Sequence, residues 1–317
     1  MRKTLACFSQ FSALFLLMLS SSAIGQNTPA PAAKTVAERL GYPADARLLV
    51  LHADDFGMSH SANRAIMEAL EKRWVTSASI LVPCPWFSEV ARWAKAHPDA
   101  DLGIHLDLNA EWTTYRWRPV SPQLPGSGLL DEEGYLPLTQ DYVVKHAKVS
   151  DVETELHAQI DKAQAAGIRL SHLDAHMGTI LRTPEMFKVY LGLGQTYKLP
   201  LLLAGNRPAL PDSPIPPGSV LLNNVLGIAP GVAKPQWMET YKKILAPLPP
   251  GTYELILHLG YNDEELQGAT ADHPDWGAEW RQSDFDLIRS AEFQKFLKDQ
   301  GFILVTWKEL AKALPAP

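Results

Sequence analysis

The sequence predicts an α/β fold, a closed or nearly closed barrel of seven or eight mostly parallel strands. Three observations carry that reading. Short apolar runs alternate with helix-length segments from residue 47 to residue 305, the pattern of strands joined by crossover helices. The number of such runs favours a closed or nearly closed barrel over an open sheet. The reactive residues also gather at the ends of these runs, and the strand ends of a parallel barrel open on one common face.

Residues 47–53 (RLLVLHA) form a compact, Leu-rich run suited to a buried strand. Residues 59–72 then place Ala62, Ala65, Ile66, Ala69 and Leu70 on one helical side, with Ser59 as N-cap. Residues 75–82 read as a strand, 86–97 as a helix and 101–108 as the third strand. The stretch 109–150 is irregular and rich in Pro, Gly and Trp. A helix is expected over 151–166, opened by Asp151 and stopped by Gly167. A strand over 170–174, a helix over 184–197 and strands over 199–203 and 220–223 follow. The rest reads as a helix over 235–245, a strand over 253–259, a helix over 285–300 and a last strand over 302–305. The stretches 109–150, 204–218 and 260–284 are too long for connectors and are expected to be loops that shape a binding site.

The chain has 317 residues, 46% hydrophobic and 20% charged, which is ordinary globular composition. Arg2 and Lys3 precede an apolar stretch from Phe11 to Leu19, and Ala23-Ile24-Gly25 supplies small residues for cleavage. This stretch is too short to span a membrane comfortably, so residues 1–26 read as a signal peptide. Export to the periplasm or the cell exterior is the expected consequence. Residues 27–40, Pro- and Ala-rich at their start, are expected to be a flexible leader, and residues 41–317 a single barrel domain. Cleavage would leave Cys84 as the sole cysteine, without a disulfide framework of its own. It would also move the net charge from −6 to −8, since Arg2 and Lys3 depart. An acidic chain without a basic run is a poor partner for nucleic acid or an anionic membrane.

Asp54 and Asp55 follow the first strand, His105 lies near the end of the third, and Asp174 and His176 follow the strand begun at Leu170. Arg207 and His258 fall at two later strand ends. Two adjacent carboxylates repel unless something cationic compensates. A metal would do so, one carboxylate ligating it while the other stays free as a base. The other reading has Asp55 capping the next helix and Asp54 solvated. In His172-Leu-Asp-Ala-His176 the polar residues share one side of an extended backbone. That side is either a solvated polar edge or a set of metal ligands, with a carboxylate able to orient a ligating histidine. One Asp and two His from separate strands would leave a coordination position open for water, as catalytic zinc sites do. The sequence carries no Gly-x-Ser-x-Gly elbow, dinucleotide fingerprint or phosphate loop.

The ordered set His52-Ala-Asp-Asp-Phe-Gly-Met-Ser59, Asn63-Arg-Ala-Ile66, Val75-Thr-Ser-Ala-Ser79, Gly103-Ile-His-Leu106 and His172-Leu-Asp-Ala-His176 resembles the YdjC-like carbohydrate deacetylases. The resemblance implies a distorted (β/α) barrel related to polysaccharide deacetylases and one divalent metal ion, Zn²⁺ or Mg²⁺. It implies Asp55, His105 and His176 as metal ligands, Asp54 as catalytic base, His258 as general acid and Arg207 as the group that steadies Asp54. Three features depart from the family pattern: His52 stands where Asn is usual, Met177 and Gly178 stand where further histidines are common, and an export signal is not general.

The expected activity is metal-dependent hydrolysis of N-acetyl groups on an amino-sugar oligosaccharide or glycoconjugate. Two other functions fit the same residues, an esterase or amidase on a different acylated substrate and a secreted sugar-binding protein without turnover. The oligomeric state is left open, a homodimer included. Trp112, Trp117, Trp276 and Trp280 lie in the two longest irregular stretches. Such rings either pin loops to a barrel or stack on sugars, and at least one is expected to line the cleft.

Overall fold

The computed structural model describes residues 34–122, 126–205 and 219–313. The expected signal peptide, half of the expected leader and Arg207 lie outside the described residues. The strands are β1 (Arg47–Phe56), β2 (Ser77–Ile80), β3 (Leu102–Leu106), β4 (Leu170–Ala175), β5 (Leu203–Ala204), β6 (Leu221–Leu222), β7 (Asn224–Leu226), β8 (Gly251–Leu257) and β9 (Phe302–Leu304). Seven of them make one sheet in the order β4-β3-β2-β1-β8-β7, with β9 added beside the start of β1. All the ladders are parallel. A bridge between Leu173 and Leu201 hands the sheet on towards the small β5–β6 pair. No ladder joins β6 to β7 among the described residues, so the sheet curls as a half-barrel and stays open there.

The two-residue period of a strand sorts side chains onto two faces. On β1, Leu49, Leu51 and Ala53 belong to the main apolar core under the helices, where Ala62, Ala65, Ile66 and Ala69 of the helix His60–Glu71 also sit. Leu48 and Val50 face the other way, into a smaller cluster with Leu202, Leu222, Trp307 and Leu310. Continuing along that concave face places His52 and then Asp54 above this apolar floor. The same alternation puts Glu254 of β8 and His172 and Asp174 of β4 in contact with His52. The concave face therefore reads in layers: apolar floor, buried polar layer, then the mouth at the strand ends.

Some elements differ from expectation. The end of the leader is ordered: Val36–Arg39 is a short helix with a Thr35–Glu38 capping box, and Ala37 is buried in the floor cluster. The 109–150 stretch contains the helix Gln140–His146, capped by Thr139. The next helix runs Val149–Ala165, so Asp151 lies in its first turn rather than opening it, and Gly167 follows with φ 83°. The 260–284 stretch is largely helical, with Glu264–Ala269 capped by Asp263 and with most of Ala278–Ile288. The helix expected over 285–300 is two, Ala278–Ile288 and Ala291–Asp299, because Ser290 leaves helical geometry to cap the second. The three-residue strand β7 and the C-terminal helix Trp307–Lys312 escape the periodicity, which needs longer runs. Ser59 caps its helix as expected, through Ala62 N. Among the described residues no helix is long and apolar enough to cross a membrane.

Candidate functional site

Adjacent residues on a flat strand point to opposite faces, so Asp54 and Asp55 could not both reach the mouth from regular β1 geometry. The backbone solves this. The β1–β2 register shifts between Ala53 and Phe56, and Asp55 adopts φ 64°. A residue in this left-handed region breaks the alternation. Gly57 then turns the chain at φ 111°, where a Cβ would lie 3.0 Å from the Leu81 carbonyl oxygen. Its N–H donates to Asn63 Oδ1 at 2.7 Å, which ties the turn to the following helix. The helix cap is Ser59, and Asp55 is thereby free for the mouth.

Both carboxylates consequently face the same histidine. His105 Nε2 lies 3.5 Å from Asp55 Oδ1 and 3.7 Å from Asp54 Oδ2. His176 Nδ1 is 3.5 Å from the same Asp55 oxygen. Asp55, His105 and His176 thus offer one ligand atom each, all within 4.8 Å of one another and all buried. Asp55 Oδ1 has no hydrogen-bond partner. A buried carboxylate oxygen with no donor and two imidazole nitrogens at 3.5 Å fits a divalent cation, and two nitrogens with one oxygen suit Zn²⁺ without excluding Mg²⁺. Each histidine is fixed from behind by a carboxylate: His105 Nδ1 meets Asp174 Oδ1 at 2.5 Å, and His176 Nε2 meets Glu111 Oε2 at 3.0 Å. Such pairs lock the ring's tautomer and orientation. His172, Asp174 and His176 are all buried, so the solvated-edge reading fails.

The electrostatics separate the two aspartates. Burial pushes the Asp54 carboxyl up to about 7, against the pull of His105. Burial acts on Asp55 in the same direction, but the Arg281 guanidinium overrides it and holds that carboxyl well below the usual range. Arg281 Nη2 donates to Asp55 Oδ2 at 2.6 Å. On His105 burial favours the neutral ring, yet Asp174 and Asp54 outweigh it and hold the imidazole up at about 9. His258 Nε2 stands 3.9 Å from Asp54 Oδ2 and 4.0 Å from Asp55 Oδ2, and burial pushes its imidazole down to about 3.

Asp54, Asp55, His105, His176 and His258 therefore converge at one cavity of about 830 Å³. Its polar side includes Glu111, Arg182, His273 and Asp275, and its apolar side includes Leu181, Phe187, Leu203 and Ile256. Arg207 lies outside the described residues. Among the described ones the guanidinium at the aspartate pair is that of Arg281, and it binds Asp55 rather than Asp54. Arg281 and Glu111 were not legible as site residues in the sequence. Arg281 sits 226 positions from Asp55 in a stretch read as loop, and neither carries a spacing signal. Of the four loop tryptophans, Trp112, Trp117 and Trp280 are 1%, 2% and 6% exposed, whereas Trp276 is 38% exposed; Trp112 and Trp276 line the cavity.

A carbohydrate deacetylase of Thermus thermophilus is 34% identical over 291 residues, covering 87% of this chain and 98% of the relative. A carbohydrate deacetylase of Brevibacillus brevis is 29% identical, covering 83% and 99% respectively. The crystal structure of a proposed cellobiose-phosphate cleavage protein from Enterococcus faecalis V583 superposes with a TM-score of 0.68 at 22% identity, over 84% of this chain and 99% of that one, and so shares the fold. The profile of the YdjC-like proteins matches residues 48–299, from β1 to the end of the helix Ala291–Asp299. On that match, the chain belongs to the YdjC-like protein family.

Proposed function

We propose that this protein is a metal-dependent carbohydrate deacetylase that hydrolyses the N-acetyl group of an amino-sugar oligosaccharide or glycoconjugate. The observation that carries the reading is the aspartate pair: one carboxylate is committed with two histidines to a ligand set, and its neighbour is left beside it at an accessible cavity. The names of the Thermus and Brevibacillus relatives support the reaction class.

A divalent ion held by Asp55, His105 and His176 would supply Lewis acidity to the acetamide carbonyl and to a water beside it. Asp54 takes the proton of the attacking water. Burial raises its affinity for a proton, which suits a base. His258, facing Asp54 across 3.9 Å, gives a proton to the departing amine. Burial holds the resting ring neutral, so the proton it delivers is the one Asp54 first takes from the water. Arg281 keeps Asp55 ionised, and Asp174 and Glu111 keep the two histidines turned towards the ligand position. We propose further that the protein is exported to the periplasm or beyond, supported by the basic and apolar N-terminus and its small-residue cleavage site.

The test is acetate release from N-acetylglucosamine oligomers, with metal content measured on the same protein before and after chelation. Stoichiometric metal and release that stops on chelation and returns with Zn²⁺ or Mg²⁺ is the expected result. Release only from matched O-acetyl sugars would replace the amide reading with an esterase. Sugar binding without metal or turnover would replace both with a binding protein.

A further inference from the structure

Five non-glycine residues among those described have positive φ, and three of them, Asp55, Met177 and Trp276, line the cavity. Left-handed backbone is unfavourable for such side chains and persists where the surroundings over-determine it, characteristically at ligand sites. Asp55 has its reason in the ligand set. Trp276, at φ 56°, has no role in that set. What holds it is explicit: Arg281 Nε donates to its carbonyl oxygen at 2.6 Å, and its ring lies tilted on Trp280 with centroids 5.2 Å apart. Trp280 is in turn wedged edge-on against Trp237 at 4.9 Å. The indole of Trp276 is thus placed by its surroundings and still 38% exposed on the cavity.

Arg281 adds a second, independent observation. Its Nε is taken by Trp276 and its Nη2 by Asp55. Its Nη1 is buried and has no hydrogen-bond partner, although the residue lines the cavity. A buried donor left without an acceptor is costly, and an oxygen brought by a ligand would satisfy it. An exposed ring and an unused donor on residues lining one cavity match the two sides of a pyranose: an apolar C–H face and a rim of oxygens.

We propose that Trp276 is the platform on which a pyranose ring of the substrate lies, with Arg281 Nη1 donating to one of that ring's oxygens. The inference rests on the reading of the site as acting on an acetylated sugar, and it names the residues that select a sugar over other acyl compounds. One guanidinium then serves both the sugar platform and the ligand Asp55, so the ring is seated in register with the reacting group.

Calorimetric titration of the full chain with N-acetylglucosamine oligomers tests this, in an Asp54→Asn background that slows turnover. Trp276→Ala is expected to weaken binding about tenfold. Trp276→Phe keeps a ring and is expected to recover most of that loss. Metal content is expected to match the parent in both, because Arg281 holds the Trp276 carbonyl oxygen and not its ring. Unchanged affinity in Trp276→Ala, with wild-type chain still releasing acetate, overturns the platform and leaves the deacetylase reading standing. A parent chain that binds no sugar oligomer also overturns the platform, and absence of acetate release from the wild type overturns the reading beneath it as well.

Discussion

Two separate clusters of histidine and carboxylate lie one above the other on the concave face of the half-barrel, and a third grouping, Asp54, His105 and Asp174, bridges them. Asp55, His105 and His176 form the upper one, and His52, His172 and Asp174 the lower. Each brings three potential ligand atoms within 4.8 Å, and each is buried by side-chain exposure. Only the upper three line the cavity. The lower three are sealed from below by Trp307, whose ring stacks on His172 with centroids 4.8 Å apart and whose Nε1 donates to Glu254 Oε2 at 2.8 Å. Residue type is therefore not what sets the cavity-facing cluster apart. Position along the strand distinguishes it: one further step of two residues carries a side chain from the packed layer to the mouth.

If the upper cluster is the reacting one, His176→Ala should have the largest effect. Stoichiometric metal and acetate release should both vanish, as read by elemental analysis and a discontinuous acetate assay. Asp54→Asn comes next, with turnover reduced about 10²- to 10⁴-fold while the metal stays bound. Equal loss of metal in that variant would make Asp54 a ligand and redraw the boundary between the clusters. Asp174→Asn touches both, since this residue belongs to the lower layer yet orients His105. Metal affinity or activity should fall about 10- to 100-fold, measured by competition with a chelating dye. The smallest catalytic effect is expected from Trp307→Phe, which leaves the buried Glu254 oxygen without its indole donor. Stability should drop by about 1–3 kcal/mol in denaturant titration, with acetate release per folded molecule retained. Strongly impaired turnover in that variant would show that the lower layer takes part in the reaction.

Gly103 shows how tightly that lower layer is built. A Cβ there would come within 2.4 Å of the His172 ring, so the imidazole occupies the space that a side chain on β3 would fill. The sequence made Gly103 and His105 neighbours on one face, and His172 and Asp174 neighbours on another. It could not show that the two faces meet.

The legible part of this protein is the part written in short-range patterns. Alternating apolar runs specified a mainly parallel α/β sheet, and its strands fell within a few residues of their expected ends. The strand-end positions of Asp54, Asp55, His105, His176 and His258 were visible for the same reason: a two-residue period and a common chain direction decide which end of a parallel strand faces the mouth. The tertiary structure decided what no local pattern encodes. It bent β1 at Asp55 so that neighbouring carboxylates share a face, and it brought Arg281 from a helix 226 positions away onto one of them. It turned a stretch read as loop into helices that prop Trp276, and it left that tryptophan as the one exposed ring of the four. Spacing along the chain fixes direction and face. Distance between elements, and the charges that meet across it, exist only once the sheet has curled.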